Sequence, residues 1–273
     1  MTPVLPTHRR GASILAAPLL GLLLGLAPAA HAWERELQPA GGTAPDWSHS
    51  GENGPDHWGE LSPAYASCGV GRLQSPIALD GSRAVLGPCM PLRFRYRSSA
   101  LYITNDGRAL RLGYDRGSYL LVDGLSYELV ELRFHVPAEH SIDGRMADAE
   151  LQLIHGNNRG DIAILSVPMV AGHRVNQILR RVLDHAPSAP GEQYLGRNVG
   201  VNALFLIPGR KDYYAYRGSL TRPPCTEQVR WYVLRAPLEV DAGDLRRLAQ
   251  LVAPNTRPLQ PRGDRTIVKS CEP

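Results

Sequence analysis

The chain has 273 residues and a formal net charge of +4, from 30 basic and 26 acidic side chains. This excess of positive charge is too small to indicate a nucleic-acid-binding protein. The length suits one large domain with a substantial core.

The first 32 residues have the features of a signal peptide. A basic start at His8-Arg9-Arg10 precedes an apolar run over 11–26, and Ala30-His31-Ala32 matches a cleavage site. We therefore predict a signal peptide over 1–32 and export to the periplasm or beyond. The alternative is a retained membrane anchor, but the apolar run is shorter than the roughly 20 residues that a span needs. No membrane span is predicted after cleavage.

The rest of the chain predicts a loose, Pro-, Gly- and Ala-rich leader over 33–46 and a single domain over 47–273. Apolar and polar residues alternate in short runs separated by Gly, Asp and Ser, which is typical of β-strands. The predicted strands cover 93–96, 101–104, 110–112, 119–122, 127–135, 149–155, 162–169, 201–207 and 228–234. Apolar stripes at helical spacing predict helices around 175–183 and 245–252. The pattern indicates a mainly β domain with a few peripheral helices.

Two of these strands carry polar residues on one face. Residues two apart in a strand point to the same side. Glu131, Arg133 and His135 therefore share a face of the first strand, and Glu150 and Gln152 share a face of the next. If the chain returns antiparallel between them, one site collects all five side chains.

That arrangement resembles the α-carbonic anhydrases, in which two histidines spaced His-x-His on one strand and a third on its neighbour hold a zinc ion and its water. The resemblance extends through motifs in the family's order from about Trp47 to Arg265. These motifs include Asn53-Gly54-Pro55-Asp56-His57-Trp58, Gln74-Ser75-Pro76-Ile77, Asn105-Asp106-Gly107, Gly218-Ser219-Leu220-Thr221 and Arg257-Pro258. It implies the family's large, twisted, mostly antiparallel central sheet.

Two of the three zinc-ligand positions differ from the family's pattern. They are Arg133 and Gln152, so that only His135 remains. A guanidinium cannot ligate a metal and an amide is a poor substitute for imidazole. At about 4 Å and an effective dielectric of about 20, the arginine would repel a dication by roughly 8 kcal/mol. We therefore expect no zinc or other cofactor, and an acatalytic carbonic anhydrase-related protein that is not an enzyme.

The resemblance also assigns the positions around the lost metal. Thr221 and Glu139 match the pair that orients the zinc-bound water, and Glu150 matches the residue that orients the third histidine. Arg108 replaces the proton-shuttle histidine, and an arginine cannot cycle its proton near neutral pH. His49, where tyrosine is usual, is predicted to be a surface histidine rather than a new ligand. The apolar wall of the family's carbon dioxide pocket corresponds to Ile154, Ile164, Leu220, Val229 and Trp231.

Arginines stand at cleft positions that the family usually fills with other residues. They are Arg108, Arg111, Arg133 and Arg222. Glu131 is predicted to pair with Arg133, although the two side chains could also point apart. Our hypothesis is that the cleft binds a small anion or an acidic partner protein. The alternative is a decayed site with solvated arginines.

Four cysteines in an exported chain indicate two disulfides rather than free buried thiols. The resemblance places Cys68 and Cys225 where bacterial members of the family carry a bridge. Cys89 and Cys271 are left as a second possible pair.

Two other functions stay open on the sequence. The first is a carbonic anhydrase with weak residual activity, or with zinc on a rearranged set such as His135, Glu131 and Gln152. The second is a purely structural envelope protein.

Overall fold

The computed structural model describes residues 1–2, 45–88, 90–252 and 254–271. The chain divides into two compact units, Met1–Ala30 and His31–Pro273, and nearly all described residues belong to the second. Nearly all of the predicted signal peptide and most of the predicted leader lie outside the described residues. Within the described ranges, no helix is long and apolar enough to cross a membrane.

Strands dominate the described part of the chain. They are β1 (Ala78–Leu79), β2 (Val85–Leu86), β3 (Arg93–Arg95), β4 (Ser99–Asn105), β5 (Leu110–Gly113), β6 (Tyr119–Val122), β7 (Leu125–His135), β8 (Ser141–Ile142), β9 (Arg145–Met146), β10 (Ala149–Gly156), β11 (Ile162–Gly172), β12 (Gln193–Val201), β13 (Tyr213–Ser219), β14 (Glu227–Leu234), β15 (Leu238–Asp241) and β16 (Val268–Lys269).

One 13-stranded sheet contains all of these strands except β1, β8 and β9, which form a small sheet of their own. Its main path runs β12-β4-β5-β7-β10-β11-β14-β13-β16-β2. Most neighbours are antiparallel, and β11 pairs parallel with β14 and β15. The predicted mainly β fold with a large, mostly antiparallel sheet is confirmed.

The two strands that carry the polar face lie side by side in the middle of this sheet. β10 lies between β7 and β11, and all eight of its residues are buried. Side chains on one face of β7 and β10, such as Leu132, Phe134, Leu151 and Leu153, enter the main apolar core. The alternate residues point the other way. Core packing on one face therefore fixes which side chains line the opposite face.

Two longer helices cover the apolar face of the sheet. The described helices are α1 (Trp58–Leu61), α2 (Ser67–Val70), α3 (Gln177–His185) and α4 (Ala242–Leu251). Asn176 caps α3 by accepting from the N–H groups of Ile178 and Leu179, both at 3.0 Å. Buried Leu179, Leu245 and other members of the predicted stripes join the core. Both predicted helices are confirmed.

The predicted strand over 201–207 is wrong. β12 ends at Val201, and Ala203–Leu206 forms a 3-10 helix. The side chain of Asn202 accepts from the N–H of Leu204 and starts this turn. Short apolar runs do not distinguish a strand from a helical turn.

The predicted Cys68–Cys225 disulfide is confirmed and joins residues 157 positions apart. In the chain-entropy model, closing a loop of that length stabilises a fold by about 5 kcal/mol. The bridge fixes the loop between β13 and β14, which carries Thr221 and Arg222, against α2. Cys271 is also disulfide-bonded, and its predicted partner Cys89 lies outside the described residues.

Candidate functional site

The five predicted polar side chains lie together on one face of β7 and β10. In the antiparallel register, Arg133 is opposite Gln152 and His135 is opposite Glu150. On the other side of β7, Arg111 of β5 is opposite Arg133. All five side chains on β7 and β10 are at least nine-tenths buried. The sequence pattern therefore placed these residues at a common site.

Arg111, Glu131, Arg133 and Arg222 form what we call the arginine cluster. Glu131 accepts from Arg111 at 3.0 Å (Nε) and 2.6 Å (Nη2) on its Oε2, and its Oε1 accepts from Nε of Arg133. Both arginines thus share a single carboxylate. Arg133 and Glu131 are paired rather than pointing apart.

The charges of the cluster act on Glu131 and Arg222. Burial raises the pKa of Glu131, but the positive charges of Arg133, Arg111 and Arg222 outweigh it and lower the pKa to about 2. Burial and the neighbouring Arg133 charge lower the pKa of Arg222. Glu131 is therefore ionised at neutral pH, and the cluster is crowded with positive charge.

Arg108 lies at the rim and not in the cluster. Its Nε donates to the carbonyl of Trp47 at 2.6 Å, it pairs with Asp46, and its guanidinium stacks on the Trp47 ring at 4.7 Å. These three contacts fix the side chain of Arg108, which the resemblance places at the proton-shuttle position.

His49 lies in the same opening, packed edge-on against Trp47 and Trp58 with ring centroids 5.2 and 5.8 Å away. It is partly exposed, so its side chain lies at the surface but is packed against the two tryptophans rather than fully solvated. Burial and the charges of His135, Arg133 and Arg108 lower the pKa of His49 to about 3. The imidazole is therefore neutral near pH 7.

Below the arginine cluster lies what we call the inner network, made of Glu139, His140, Glu150 and Gln152. Glu150 accepts from the N–H groups of Glu139 and His140 at 3.0 and 2.9 Å, and pairs with Nδ1 of His140 at 3.0 Å. Burial raises its pKa, but His140 and these hydrogen bonds lower it to about 2. Nε2 of His140 lies 2.7 Å from the hydroxyl of Tyr216.

Gln152 joins the two buried carboxylates of the inner network. Its Nε2 donates to Glu139 at 2.7 Å and to Glu150 at 3.1 Å. Because both partners are acceptors, the nitrogen must occupy this side of the amide. The other oxygen of Glu139 accepts from the N–H of Arg257 at 3.0 Å. Thr221 is buried, but among the described contacts it does not donate to Glu139.

His135 has one satisfied and one unsatisfied nitrogen. Nδ1 lies 3.0 Å from the carbonyl oxygen of Asn255 and must donate to it. In the neutral ring, Nε2 then carries a lone pair. Nε2 is buried and has no hydrogen-bond partner among the described residues. Nε2 of His135 is therefore an unsatisfied buried acceptor on the polar face of β7.

An apolar wall lies beside these polar groups. The five predicted wall residues are buried and belong to one cluster on the cleft side of the sheet; they are Ile154, Ile164, Leu220, Val229 and Trp231. Ile154 is opposite Glu131 in the register of β10 and β7. The wall therefore adjoins the arginine cluster directly.

Sequence reasoning missed the role of Asn255. Besides orienting His135, its side chain accepts from the N–H of Val136 at 2.9 Å and donates to the carbonyl of Phe134 at 3.0 Å. No local spacing indicates this contact, because the residues are about 120 positions apart. Arg257, by contrast, belongs to one of the motifs on which the resemblance rests, but that motif did not indicate what Arg257 contacts.

The zinc ion that the resemblance implies does not fit the donors present. The three ligand positions offer the imidazole of His135, the guanidinium of Arg133 and the amide of Gln152. Among the described residues, no three His, Cys, Asp or Glu side chains converge on a metal position. Glu131 of the rearranged set is already engaged by two arginines. The metal content of the protein itself stays a prediction.

Residues 53–271 match a protein-family model described as eukaryotic-type carbonic anhydrase. A carbonic anhydrase of Nostoc sp. is 34% identical over 85% of this chain and 89% of its own length. A carbonic anhydrase of Neisseria gonorrhoeae is 31% identical over 97% and 100%. The solved α-carbonic anhydrase of Thermovibrio ammonificans is 35% identical, with a TM-score of 0.80 over 82% of this chain and 99% of that one.

These relatives correct one expectation from the sequence. The altered ligand positions predicted that the chain is not an enzyme, but bacterial proteins 30–34% identical over most of its length are named carbonic anhydrases. That prediction is wrong, because it weighed two substituted positions above a similarity that covers nearly the whole domain. The similarity indicates an enzyme.

Proposed function

Because the chain belongs to the α-carbonic anhydrase family, we propose that it is a carbonate dehydratase of weak activity, acting on carbon dioxide in the cleft beside β7 and β10. The single observation that carries the proposal is the buried, unpartnered Nε2 of His135 next to the cation of Arg133. The two residues share a face of β7.

The chain's own groups support a slow hydration without a step through a metal. A water held at Nε2 of His135 gives up a proton to that nitrogen while its oxygen forms a bond to the carbon of carbon dioxide. The product is hydrogencarbonate, and the imidazolium then releases the proton to solvent. Arg133 stabilises the negative charge that develops on the carbon dioxide oxygens.

Two features explain why turnover should be weak. The side chains of Arg133, His135 and Gln152 do not suit a zinc ion. The pKa of the attacking water is then not lowered by a metal, which is the main contribution of zinc in this chemistry. The shuttle position holds Arg108, which is engaged by Trp47 and Asp46. The apolar wall would receive carbon dioxide, and it is the part of the site that favours this substrate.

Stopped-flow hydration of carbon dioxide by chelator-treated protein tests the proposal. General-base catalysis typically contributes about 10²–10⁴-fold, so we expect a small saturable rate that falls at least about tenfold in His135→Gln. The matched control is His57→Gln, since the side chain of His57 is half exposed and, among the described residues, forms an ion pair with exposed Glu60 alone. A rate equal to the uncatalysed background would overturn the proposal. Activity that appears only with added zinc would replace it with a rearranged metal site.

We also propose that the protein is exported, to the periplasm or beyond. The Cys68–Cys225 disulfide supports this, because structural disulfides persist in oxidising compartments. The N-terminal segment adds the features of a signal peptide. N-terminal sequencing of the mature protein should show that it begins near Trp33. A mature chain that retains residues 1–32 would contradict export with cleavage of a signal peptide.

A further inference from the structure

We propose that an apolar cavity on the far face of the sheet from the cleft binds a small amphipathic anion, a carboxylate with a short alkyl body. The cavity has a volume of about 490 Å³ and lies where the chain enters β3 and β13 and leaves β16. Its buried members Leu92 and Tyr213 belong to the main apolar core, whereas the apolar wall of the cleft belongs to a separate cluster. The site shares no residue with the proposed hydration and does not depend on it.

The first argument is the composition of the cavity. Met90, Pro91, Leu92 and Tyr213 line it, and most of the atoms that face it are apolar. Pro91 is exposed while Leu92 and Tyr213 are buried, so the cavity has an open rim and a covered wall. Small-molecule sites are typically pockets of about 300–1,000 Å³ with mainly apolar walls. This cavity therefore suits an apolar body better than a bare inorganic ion.

The second argument is that hydrogen bonds hold the cavity in shape. The hydroxyl of Tyr213 donates to the carbonyl of Met90 at 2.9 Å. The backbone N–H of Tyr213 donates to the hydroxyl of Ser270 at 2.9 Å, and the N–H of Ser270 donates to the Tyr213 carbonyl at 2.9 Å. These bonds join the three segments that line the cavity. A ligand therefore enters a preformed site and does not have to order it.

The third argument is the positive charge of Lys211 at the rim. Lys211 lines the cavity, and its Nζ donates at 3.0 Å to the carbonyl of Gly209, which also lines it. Among the described residues this is its only hydrogen bond, and it forms no ion pair with them. An ammonium group has three donors. An anionic head group at the mouth of an apolar cavity complements this charge.

The acid in the cavity wall does not oppose an anion, because it is already paired. Asp212 is the only acidic side chain among the described lining residues. It is 2% exposed and lies 3.3 Å from Nε of Arg210 and 3.3 Å from Nη1 of Arg235. Two arginines thus engage its charge, and Lys211 is not its counter-ion.

Titration calorimetry of the disulfide-bonded protein with butanoate and hexanoate tests the apolar part of the site. Hexanoate should bind roughly 15-fold more tightly, because each of its two extra methylenes contributes about fourfold when buried. Equal affinities, or no saturation by hexanoate, would overturn the proposal. Met90→Gln should weaken hexanoate and the uncharged probe hexan-1-ol alike, since both place their alkyl chain against that side chain.

Lys211→Gln tests the head group. It should weaken hexanoate about tenfold, the usual effect of losing a hydrogen bond to a charged group, and leave hexan-1-ol nearly unchanged. Lys269→Gln is the matched control, because the chain's other lysine donates to the carbonyl of Gly81 and does not line the cavity. An unchanged hexanoate affinity in Lys211→Gln would contradict the assignment. Loss of hexanoate binding in Arg133→Gln instead would place the anion in the cleft and overturn the proposal.

A last variant concerns Glu272, which lies outside the described residues and follows Cys271 of the cavity lining. Glu272→Gln should leave the Kd of hexanoate unchanged. A marked gain in affinity would show that the carboxylate of Glu272 already serves as the counter-ion of Lys211, and the proposal would fail.

Discussion

The inner network and the arginine cluster lie next to each other on one face of β7 and β10, but they satisfy buried charge in different ways. Glu150 accepts two backbone N–H groups and pairs with His140. The arginine cluster depends on the side chain of Glu131, which two arginines share. In the inner network, backbone N–H groups that the fold holds in place stabilise the carboxylate of Glu150. The cluster is held by one carboxylate and is sensitive to its loss.

The largest change to this site is expected when histidine is restored at positions 133 and 152. Arg133→His with Gln152→His should convert a chain with little zinc into one with one zinc per chain, because Glu150 is already in place to orient the new imidazole at position 152. Elemental analysis of untagged protein measures the change, and hydration should rise with it. The single Arg133→His change is the control and should take up less zinc. If the double variant folds but binds no zinc, positions 133 and 152 are not the ligand positions.

The second test removes the partner on which the arginine cluster depends. Glu131→Gln leaves the buried guanidinium of Arg133 and the partly exposed one of Arg111 without their carboxylate. Breaking a buried pair such as Arg133–Glu131 costs about 3–5 kcal/mol. The free energy of unfolding from urea denaturation measures the loss. Glu60→Gln is the control, since Glu60 is exposed beside His57 and surface changes stay within about 0.5 kcal/mol. A loss below about 1 kcal/mol for Glu131→Gln would mean that the cluster does not depend on this residue.

The same variant should change the acid response of stability. The pKa of Glu131 is lowered from 4.5 to about 2 in the folded protein. The unfolded chain therefore binds the proton first, and this stabilisation is lost as the pH falls from about 4.5 towards 2. It amounts to about 3 kcal/mol on the usual conversion of 1.36 kcal/mol per pKa unit. The difference between wild type and Glu131→Gln should shrink across that window. A constant difference would contradict the lowered pKa.

The sequence predicted the face and the neighbours of the site because strand alternation determines both. Glu131, Arg133 and His135 had to share a side once Leu132 and Phe134 were in the core. The pairing of Arg133 with Glu131 followed from the chemistry of a buried cation next to a carboxylate.

The parts that could not be predicted depend on contacts distant in sequence or on local turns. Asn255 reaches His135 across 120 positions, and no periodic pattern encodes that. Gln152 was predicted as a lost ligand, but its bridge between Glu139 and Glu150 needs the coordinates of all three side chains. The helical turn at Ala203–Leu206 replaced a predicted strand because Asn202 starts it.

The effect that is smallest at neutral pH concerns His49, at the mouth of the arginine cluster. Its pKa is lowered to about 3, so the unfolded chain takes up the proton first and the stability from this residue is lost as the pH falls from about 6.5 towards 3. His49→Gln should change the free energy of unfolding by less than about 1 kcal/mol at pH 7. At pH 4 the variant should be more stable than wild type, because it has no proton to take up. Urea denaturation at both pH values measures this, and an unchanged difference would mean that burial and the neighbouring charges do not lower the pKa of His49.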